Sequence, residues 1–114
     1  MATAQEAIKD ILNDNQPVPV TVQRIIDEVA RTYNVSPADI RGKMRSGNIS
    51  SARQIAMYIV REITQLSTTN IGDEFGHRDH ATVVYAIQKV EKDMKSNARL
   101  KATIEDIIKN IQAS

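Results

Sequence analysis

The sequence predicts an all-α fold, and three observations support this. Glycine and proline are scarce, with 4 and 3 residues in a chain of 114, and aromatic residues, which are enriched in β-strands, make up only 4%. Apolar residues recur at intervals of three and four, the spacing of one buried helix face. Near the middle of the chain, Ile71 and Phe75 are followed by Gly76 and by a new apolar stripe from Val83. This succession of helix, glycine stop and helix predicts a helix-turn-helix.

The composition excludes several classes of protein. There is no cysteine, so a disulfide scaffold and a thiolate metal site are ruled out. The longest apolar run, Ile55 to Val60, is far too short to cross a bilayer, and the amino terminus lacks the basic start and apolar stretch of a secretory signal. The sequence therefore predicts a soluble, cytoplasmic protein that carries no cofactor and has one main domain.

Positive charge is concentrated in one part of the chain. The formal net charge is only +1, which by itself does not indicate a nucleic-acid partner. Between residues 41 and 61, however, there is no acidic residue, and the basic ones are Arg41, Lys43, Arg45, Arg53 and Arg61. Most charge runs are simply solvated surface. Here the uneven placement predicts one basic surface on a nearly neutral molecule.

The amino-terminal part of the chain is predicted to be a linker. A helix over residues 3–13 would carry Ala4, Ile8, Ile11 and Leu12 on one stripe, and two prolines end the connector that follows, at residue 19. The main domain then occupies residues 20–114. Thr21 is expected to cap its first helix, Asn34 to stop it, and Ser36 with Pro37 to begin a short second helix.

A flexible basic loop is expected between residues 42 and 48, because Ser46, Gly47 and Asn48 are poor helix formers. Ser51 with Gln54 three residues later forms a capping box, so the long central helix is predicted to start there. Its apolar stripe contains Ile55, Ile59, Ile63 and Leu66.

The helix-turn-helix follows directly. Ser67 or Thr68 can cap its first helix, Gly76 can stop it, and Asp79 can cap the second. The second helix buries Val83, Ile87, Val90 and Met94, and a closing helix with Leu100, Ile104, Ile107, Ile108 and Ile111 covers the core. The domain is therefore expected to contain about six helices besides the linker helix.

The start of this second helix is predicted to be exposed and to read bases. The opposite arc from its apolar stripe contains Arg78, Ala81, Thr82, Tyr85, Lys89 and Lys92. Arg78, His80 and Thr82 offer hydrogen-bond donors, and the methyl groups of Ala81 and Thr82 suit thymine. This set of donors and methyl groups at a helix start is typical of a recognition helix that enters the major groove.

These residues closely match a known pattern. Ile-Gly-x-x-Phe-Gly-x-Arg-Asp-His-x-Thr-Val from Ile71 to Val83, preceded by Arg-Gln-Ile-Ala-Met-Tyr from Arg53 to Tyr58, resembles the carboxyl-terminal DNA-binding domain (domain IV) of the bacterial chromosomal replication initiator DnaA. The resemblance covers residues 20–111. It implies sequence-specific binding to double-stranded origin repeats, the DnaA boxes, for initiation and regulation of replication.

The resemblance also implies a role for the linker. Residues 3–13 would join this domain to an ATPase domain of the same parent chain. No Gly-rich phosphate-binding loop ending in Lys-Ser/Thr occurs in this sequence, so ATP binding would belong to the full-length parent and this domain would not be an enzyme. Contact of the linker with membrane lipid is a further option that no residue here supports.

The family's residue roles carry over where the residues match. The resemblance implies minor-groove binding by Arg45 in the basic loop and a base or backbone contact by Arg53. Base contacts in the major groove are implied for Asp79, His80, Ala81 and Thr82. Phosphate contacts are implied for Lys43, Arg61, Thr68, Thr69, Arg78 and Lys89. The chain departs from the family pattern at His77, usually glycine, at Ala81, usually threonine, and at Thr68-Thr69, usually Leu-Pro, so the preferred repeat stays open.

Other functions fit the residues less well. In a protein-interaction module, the exposed arc around Tyr85 and Lys89 would dock a replication regulator, and the basic loop would be incidental. A metal site or an enzyme built on His77, Asp79 and His80 is disfavoured, because no further histidine, cysteine or nucleophile accompanies them.

Overall fold

Residues 20–113 are described by the structure, a computed structural model, and they contain six α-helices and no strand. In chain order the helices are α1 (Val22–Tyr33), α2 (Pro37–Arg41), α3 (Gly47–Thr64), α4 (Thr68–Glu74), α5 (His80–Ser96) and α6 (Ala98–Ala113). The predicted all-α fold is confirmed. The predicted linker helix over residues 3–13 and its connector lie outside the described residues.

Three helices begin after the predicted caps Thr21, Ser36 and Asp79, and α4 begins after Ser67, one of its two predicted caps. The side-chain oxygens of Thr21, Ser36, Ser67 and Asp79 each accept a hydrogen bond from a backbone N–H in the first helical turn, at 3.0 to 3.1 Å. Such caps satisfy donors that a helix start otherwise leaves unpaired. At the carboxyl end of α1, the predicted stop Asn34 is the C-cap and adopts a left-handed conformation, with φ 56°.

The predicted start of α3 was wrong. The helix begins at Gly47 rather than after Ser51, and Ser46 precedes it in an extended conformation. Burial explains the difference, because Ile49 and Ala52 are 9% and 0% exposed and face the core. Their packing offsets the cost of placing glycine and asparagine in a helix, about 1 kcal/mol for the glycine. The exposed basic loop is therefore shorter than expected and spans residues 42–46.

The core is organised around α3, which packs against α1 on one side and α5 on another. α4 packs on α5, and α6 closes the bundle against α1 and α5. The largest fully buried side chains include Phe75, Ile25, Ile59, Ile71 and Ile104. Because Ile71 and Phe75 anchor α4 and Val83 and Val90 anchor α5, the turn between the two helices is held at the surface.

In the part of the chain described, no helix is long and apolar enough to span a membrane.

Candidate nucleic-acid interface

The turn between α4 and α5 depends on two glycines. The Arg78 N–H donates to the Gly72 carbonyl over 2.9 Å, and a Cβ on Gly72 would lie only 2.0 Å from the Arg78 carbonyl oxygen. Gly76 has φ +83°, and a Cβ there would lie 2.6 Å from the Arg41 carbonyl oxygen. Both positions therefore require glycine, one for close backbone approach and one also for its left-handed conformation.

His77 follows Gly76 and is also left-handed, with φ 60°. The resemblance implies glycine at this position, and a side chain in this conformation costs about 1 to 2 kcal/mol. Its imidazole is 87% exposed and lies 3.9 Å from an Asp73 carboxylate oxygen, so this pair offsets little of the strain.

The amino-terminal end of α5 is exposed, as predicted. Asp79, His80, Ala81 and Thr82 all lie at the surface, side by side. Asp79 Oδ1 accepts from the Thr82 N–H at 3.0 Å and from the Thr82 hydroxyl at 2.8 Å. These bonds, the backbone one first, hold the pKa of Asp79 below its ordinary value. Asp79 therefore stays ionised while it caps the helix.

The Thr82 hydroxyl has a different role from the one the sequence suggested. Because a carboxylate can only accept, the hydroxyl hydrogen points at Asp79. Thr82 therefore presents to solvent its methyl group and the lone pairs of its hydroxyl oxygen.

The basic loop lies beside this helix end. Lys43 and Arg45 are exposed on it. A cleft of about 350 Å³ separates the loop from α5, with Arg45 on one wall and Thr82 and Tyr85 on the other. The structure thus brings the minor-groove candidate Arg45 to the same cleft as one major-groove candidate, Thr82, although the two are far apart in the sequence.

Arg53 does not lie on the exposed surface. Its side chain is 6% exposed, its Nε donates to the Ile40 carbonyl at 2.8 Å, and its Nη2 donates to the carbonyls of Asp39 and Met44 at 2.8 and 2.9 Å. Burial first, and the nearby charge of Arg78 second, lower the pKa of Arg53, which remains charged. The expected base or backbone contact does not fit this placement, because it would require breaking these hydrogen bonds.

Arg78 is also directed into the protein. It is half-buried, and its Nη2 donates to the Gly42 carbonyl at 2.5 Å. The buried Nε has no hydrogen-bond partner among the described residues. In the free domain, the Arg78 side chain is therefore not oriented for the phosphate contact that was expected of it.

The remaining phosphate candidates lie at separate places. Arg61, in the last turn of α3, donates to the Leu66 carbonyl at 2.5 Å, just before Thr68 and Thr69 at the start of α4. Lys89, on the outer face of α5, donates to Asp93 at 2.9 Å, and this hydrogen bond raises the pKa of Lys89. Both side chains are partly exposed.

Sequence reasoning left two polar residues of α3 that line the cleft out of the predicted site. Ser50 and Gln54 line the same cleft as Arg45. They are four apart, which places them on one helix face, but this is visible only once α3 is known to start at Gly47. Tyr85, which the sequence placed on the outward arc, is 61% exposed.

Within residues 20–113, no group of three or more histidine, cysteine, aspartate or glutamate side chains is placed to hold a metal ion.

A short anchored helix, a glycine turn and a second helix with an exposed polar start together define a helix-turn-helix domain. A family model described as "Bacterial dnaA protein helix-turn-helix" matches residues 22–90, more than half of the 114 residues. The chain therefore belongs to the bacterial DnaA helix-turn-helix family. A domain of this family binds DNA in replication initiation and is not itself catalytic.

A solved structure supports the same assignment. The chain is similar to a protein described as a DNA replication initiation factor, with 33% sequence identity and a TM-score of 0.71. The match covers 79% of this chain and 27% of that one. The present chain thus corresponds to about a quarter of the length of that protein.

Proposed function

We propose that this domain binds origin repeats in duplex DNA sequence-specifically, with the start of α5 in the major groove and Arg45 in the adjacent minor groove. One observation carries the proposal: Arg45 and Thr82 border the same cleft from two separate elements. A domain that reads two neighbouring grooves needs two exposed elements side by side, with room between them for the sugar-phosphate backbone that separates the grooves.

In the major groove, the four neighbouring residues Asp79, His80, Ala81 and Thr82 would meet the DNA. The methyl groups of Ala81 and Thr82 suit the thymine methyl, and His80 would contact a base or a phosphate. Both described hydrogen bonds of Asp79 use Oδ1, which leaves Oδ2 to accept from an exposed base amino group. The negative charge of Asp79 would repel phosphate, so it favours a position over a base edge rather than over the backbone.

In the minor groove, Arg45 would be the reading residue. It is exposed on a loop of five residues, and a narrow, electronegative minor groove attracts guanidinium groups. We assign phosphate contacts to Lys43, Arg61, Thr68, Thr69 and Lys89, which would contribute affinity without sequence preference. Arg53 and Arg78 are left out of the DNA-contacting set because Arg53 is 6% exposed, Arg78 Nε is buried, and both side chains donate to carbonyls of the basic loop.

The experiment is a selection followed by a titration. Residues 20–114 would be used to enrich a randomised duplex pool, and the enriched repeat and a shuffled duplex of equal composition would then be titrated by fluorescence anisotropy at several salt concentrations. We expect at least about 10³-fold preference for the repeat, in the range of specific DNA-binding domains. Equal affinity for the two duplexes at every salt concentration would contradict the proposal.

A second function is favoured by one observation. Tyr85 is the more exposed of the two large apolar side chains that lie at the described surface, and with Lys89 and Lys92 it borders a further cleft of about 290 Å³ on α5. This is where a regulator of replication would dock. Lys92 lines this second cleft but not the one beside Arg45. If Lys92→Ala leaves the repeat preference unchanged but abolishes regulation of the parent initiator, the two functions share α5 and use different residues.

We place the domain in a longer initiator whose ATPase domain controls its assembly, in the cytoplasm, with the domain itself monomeric. These assignments rest on the family and on the partial coverage of its solved relative. Sedimentation of the isolated domain with and without the repeat tests the monomer directly.

A further inference from the structure

We propose that Arg78, together with Arg53, is a positioning residue that sets the separation between the basic loop and the start of α5, so that the two grooves are read as one unit. The inference rests on the proposed function and assigns to these two arginines a task other than DNA contact.

The backbone of Arg78 is fixed to the helix-turn-helix. Its N–H donates to the Gly72 carbonyl at 2.9 Å, and its own carbonyl lies so close to Gly72 that a Cβ there would be 2.0 Å away. The next residue, Asp79, caps α5. Arg78 therefore moves with α4 and with the start of the recognition helix.

The side chain of Arg78 holds the other element. Its Nη2 donates to the carbonyl of Gly42, the first residue of the basic loop, 36 positions earlier in the chain. Arg53 donates to the carbonyl of Met44, two residues further along the loop. The loop is thus held on both sides of Lys43, and Arg45 directly follows the second fixed carbonyl.

The two guanidinium groups are placed at a cost to the fold. They are close enough for the charge of Arg78 to lower the pKa of Arg53, and the hydrogen bonds described for both run to carbonyls rather than to carboxylates. In addition, Arg78 Nε is buried without a partner among the described residues. Costs of this kind persist where function requires the geometry.

A double-mutant cycle tests the inference. In the unaltered domain, Arg45→Ala should weaken binding of the selected repeat by roughly 5- to 150-fold, the range for one good base contact. In an Arg78→Met background the same change should cost less than about 3-fold, because the loop no longer holds Arg45 at the groove. Lys109→Met, which removes an exposed charge from α6, is the matched control and should leave the full effect of Arg45→Ala in place.

A second measurement needs no DNA. ¹⁵N relaxation of the free domain should show the backbone order parameters of residues 43–46 falling from about 0.85 towards 0.6 in Arg78→Met, with α3 and α6 unchanged. Arg78→Lys retains a donor and should restore part of both effects. Circular dichroism melting of each variant identifies any that fail to fold. If Arg78→Met fails to fold, Arg78→Lys is used for the test in its place.

The outcomes separate the two proposals. If Arg45→Ala costs the same in both backgrounds and Arg78→Met lowers the salt dependence by the amount expected for about one neutralised phosphate, Arg78 binds DNA directly and the inference is overturned. If Arg45→Ala has no effect even in the unaltered domain, the proposal that Arg45 reads the minor groove is contradicted. The positioning of Arg45 by Arg78 then has no role in DNA binding. Unchanged loop dynamics in Arg78→Met would overturn the inference whatever the DNA results are.

Discussion

Thr82 donates both its backbone N–H and its hydroxyl hydrogen to one carboxylate oxygen of Asp79, at 3.0 and 2.8 Å. Asp79 and Thr82 therefore form the cap of the recognition helix and are also two of the proposed base-reading residues. A change at either residue alters the helix start as well as the surface that would meet the DNA, so stability and binding must be measured separately.

Thr82 is expected to act through its methyl group, because its hydroxyl hydrogen is directed at Asp79. Thr82→Ala should weaken binding of the selected repeat by about 1 to 3 kcal/mol, whereas Thr82→Val, which keeps a methyl group, should retain most of the affinity. Competition titrations with repeat and shuffled duplexes measure this. If the valine variant loses as much discrimination as the alanine variant, the hydroxyl itself reads the base.

The cap should make stability depend on pH in a defined direction. The pKa of Asp79 is held below its ordinary value of 3.8 by hydrogen bonds from Thr82, the backbone one first. A carboxylate with a lowered folded-state pKa stabilises the protein above its unfolded-state pKa, and this contribution is lost as the pH falls through the folded-state value. We expect the difference in unfolding free energy between the unaltered domain and Asp79→Asn to be constant from about pH 5 to 7 and to change only below about pH 4.

Urea denaturation of both proteins across this range gives the measurement. Since the group is fully exposed, the change will be small, and its direction is the test. A difference that grows as the pH falls would contradict the assigned cap.

His77 is predicted to strain the turn, since it is a side chain in a left-handed conformation with φ 60°. His77→Gly should raise the unfolding free energy by about 0.5 to 1 kcal/mol, because glycine adopts this conformation without steric cost but loses more entropy on folding. His77→Ala is the control, as it removes the imidazole without relieving the backbone, and it should give no gain. A stabilised alanine variant would show that the imidazole, rather than the backbone, is unfavourable.

Gly72 should not tolerate a side chain. A Cβ there would lie 2.0 Å from the Arg78 carbonyl oxygen, a backbone atom that cannot move without displacing the cap of α5. Gly72→Ala is expected to destabilise the domain by about 1 to 3 kcal/mol, in the range of overpacked cores. Gly47→Ala offers a matched control, because a Cβ at that position meets nothing within 4 Å. Thermal unfolding compares the two, and equal melting temperatures would show that the close approach is not maintained in solution.

Arg61 and Lys89 are expected to contribute affinity but no discrimination. Changing either to alanine should weaken repeat and shuffled duplexes by the same factor, and it should reduce the slope of log K against log salt by about 0.9 for each phosphate that the protein no longer neutralises. Salt titrations on both duplexes test this. An effect confined to the repeat would reassign the residue to base reading.

The start of each capped helix was predictable because a cap is a local interaction. Thr21, Ser36, Ser67 and Asp79 each bond to a backbone N–H two or three residues later, so sequence alone contains the necessary information. The start of α3 was not predictable in this way. Whether Gly47 joins that helix depends on the burial of Ile49 and Ala52 against other helices.

For the basic residues, too, the sequence determined one part of the outcome and the tertiary structure the other. The sequence determined that a positively charged segment precedes the helix-turn-helix and that the start of α5 carries the donors and methyl groups that we propose read bases. Only the tertiary structure decided which charges face solvent, turning Arg53 and Arg78 inward to carbonyls 9 to 36 positions away and leaving Lys43 and Arg45 exposed. The physical reason is that a guanidinium bonds to whichever acceptors the packed chain brings within reach, and those acceptors lie far from it in the sequence.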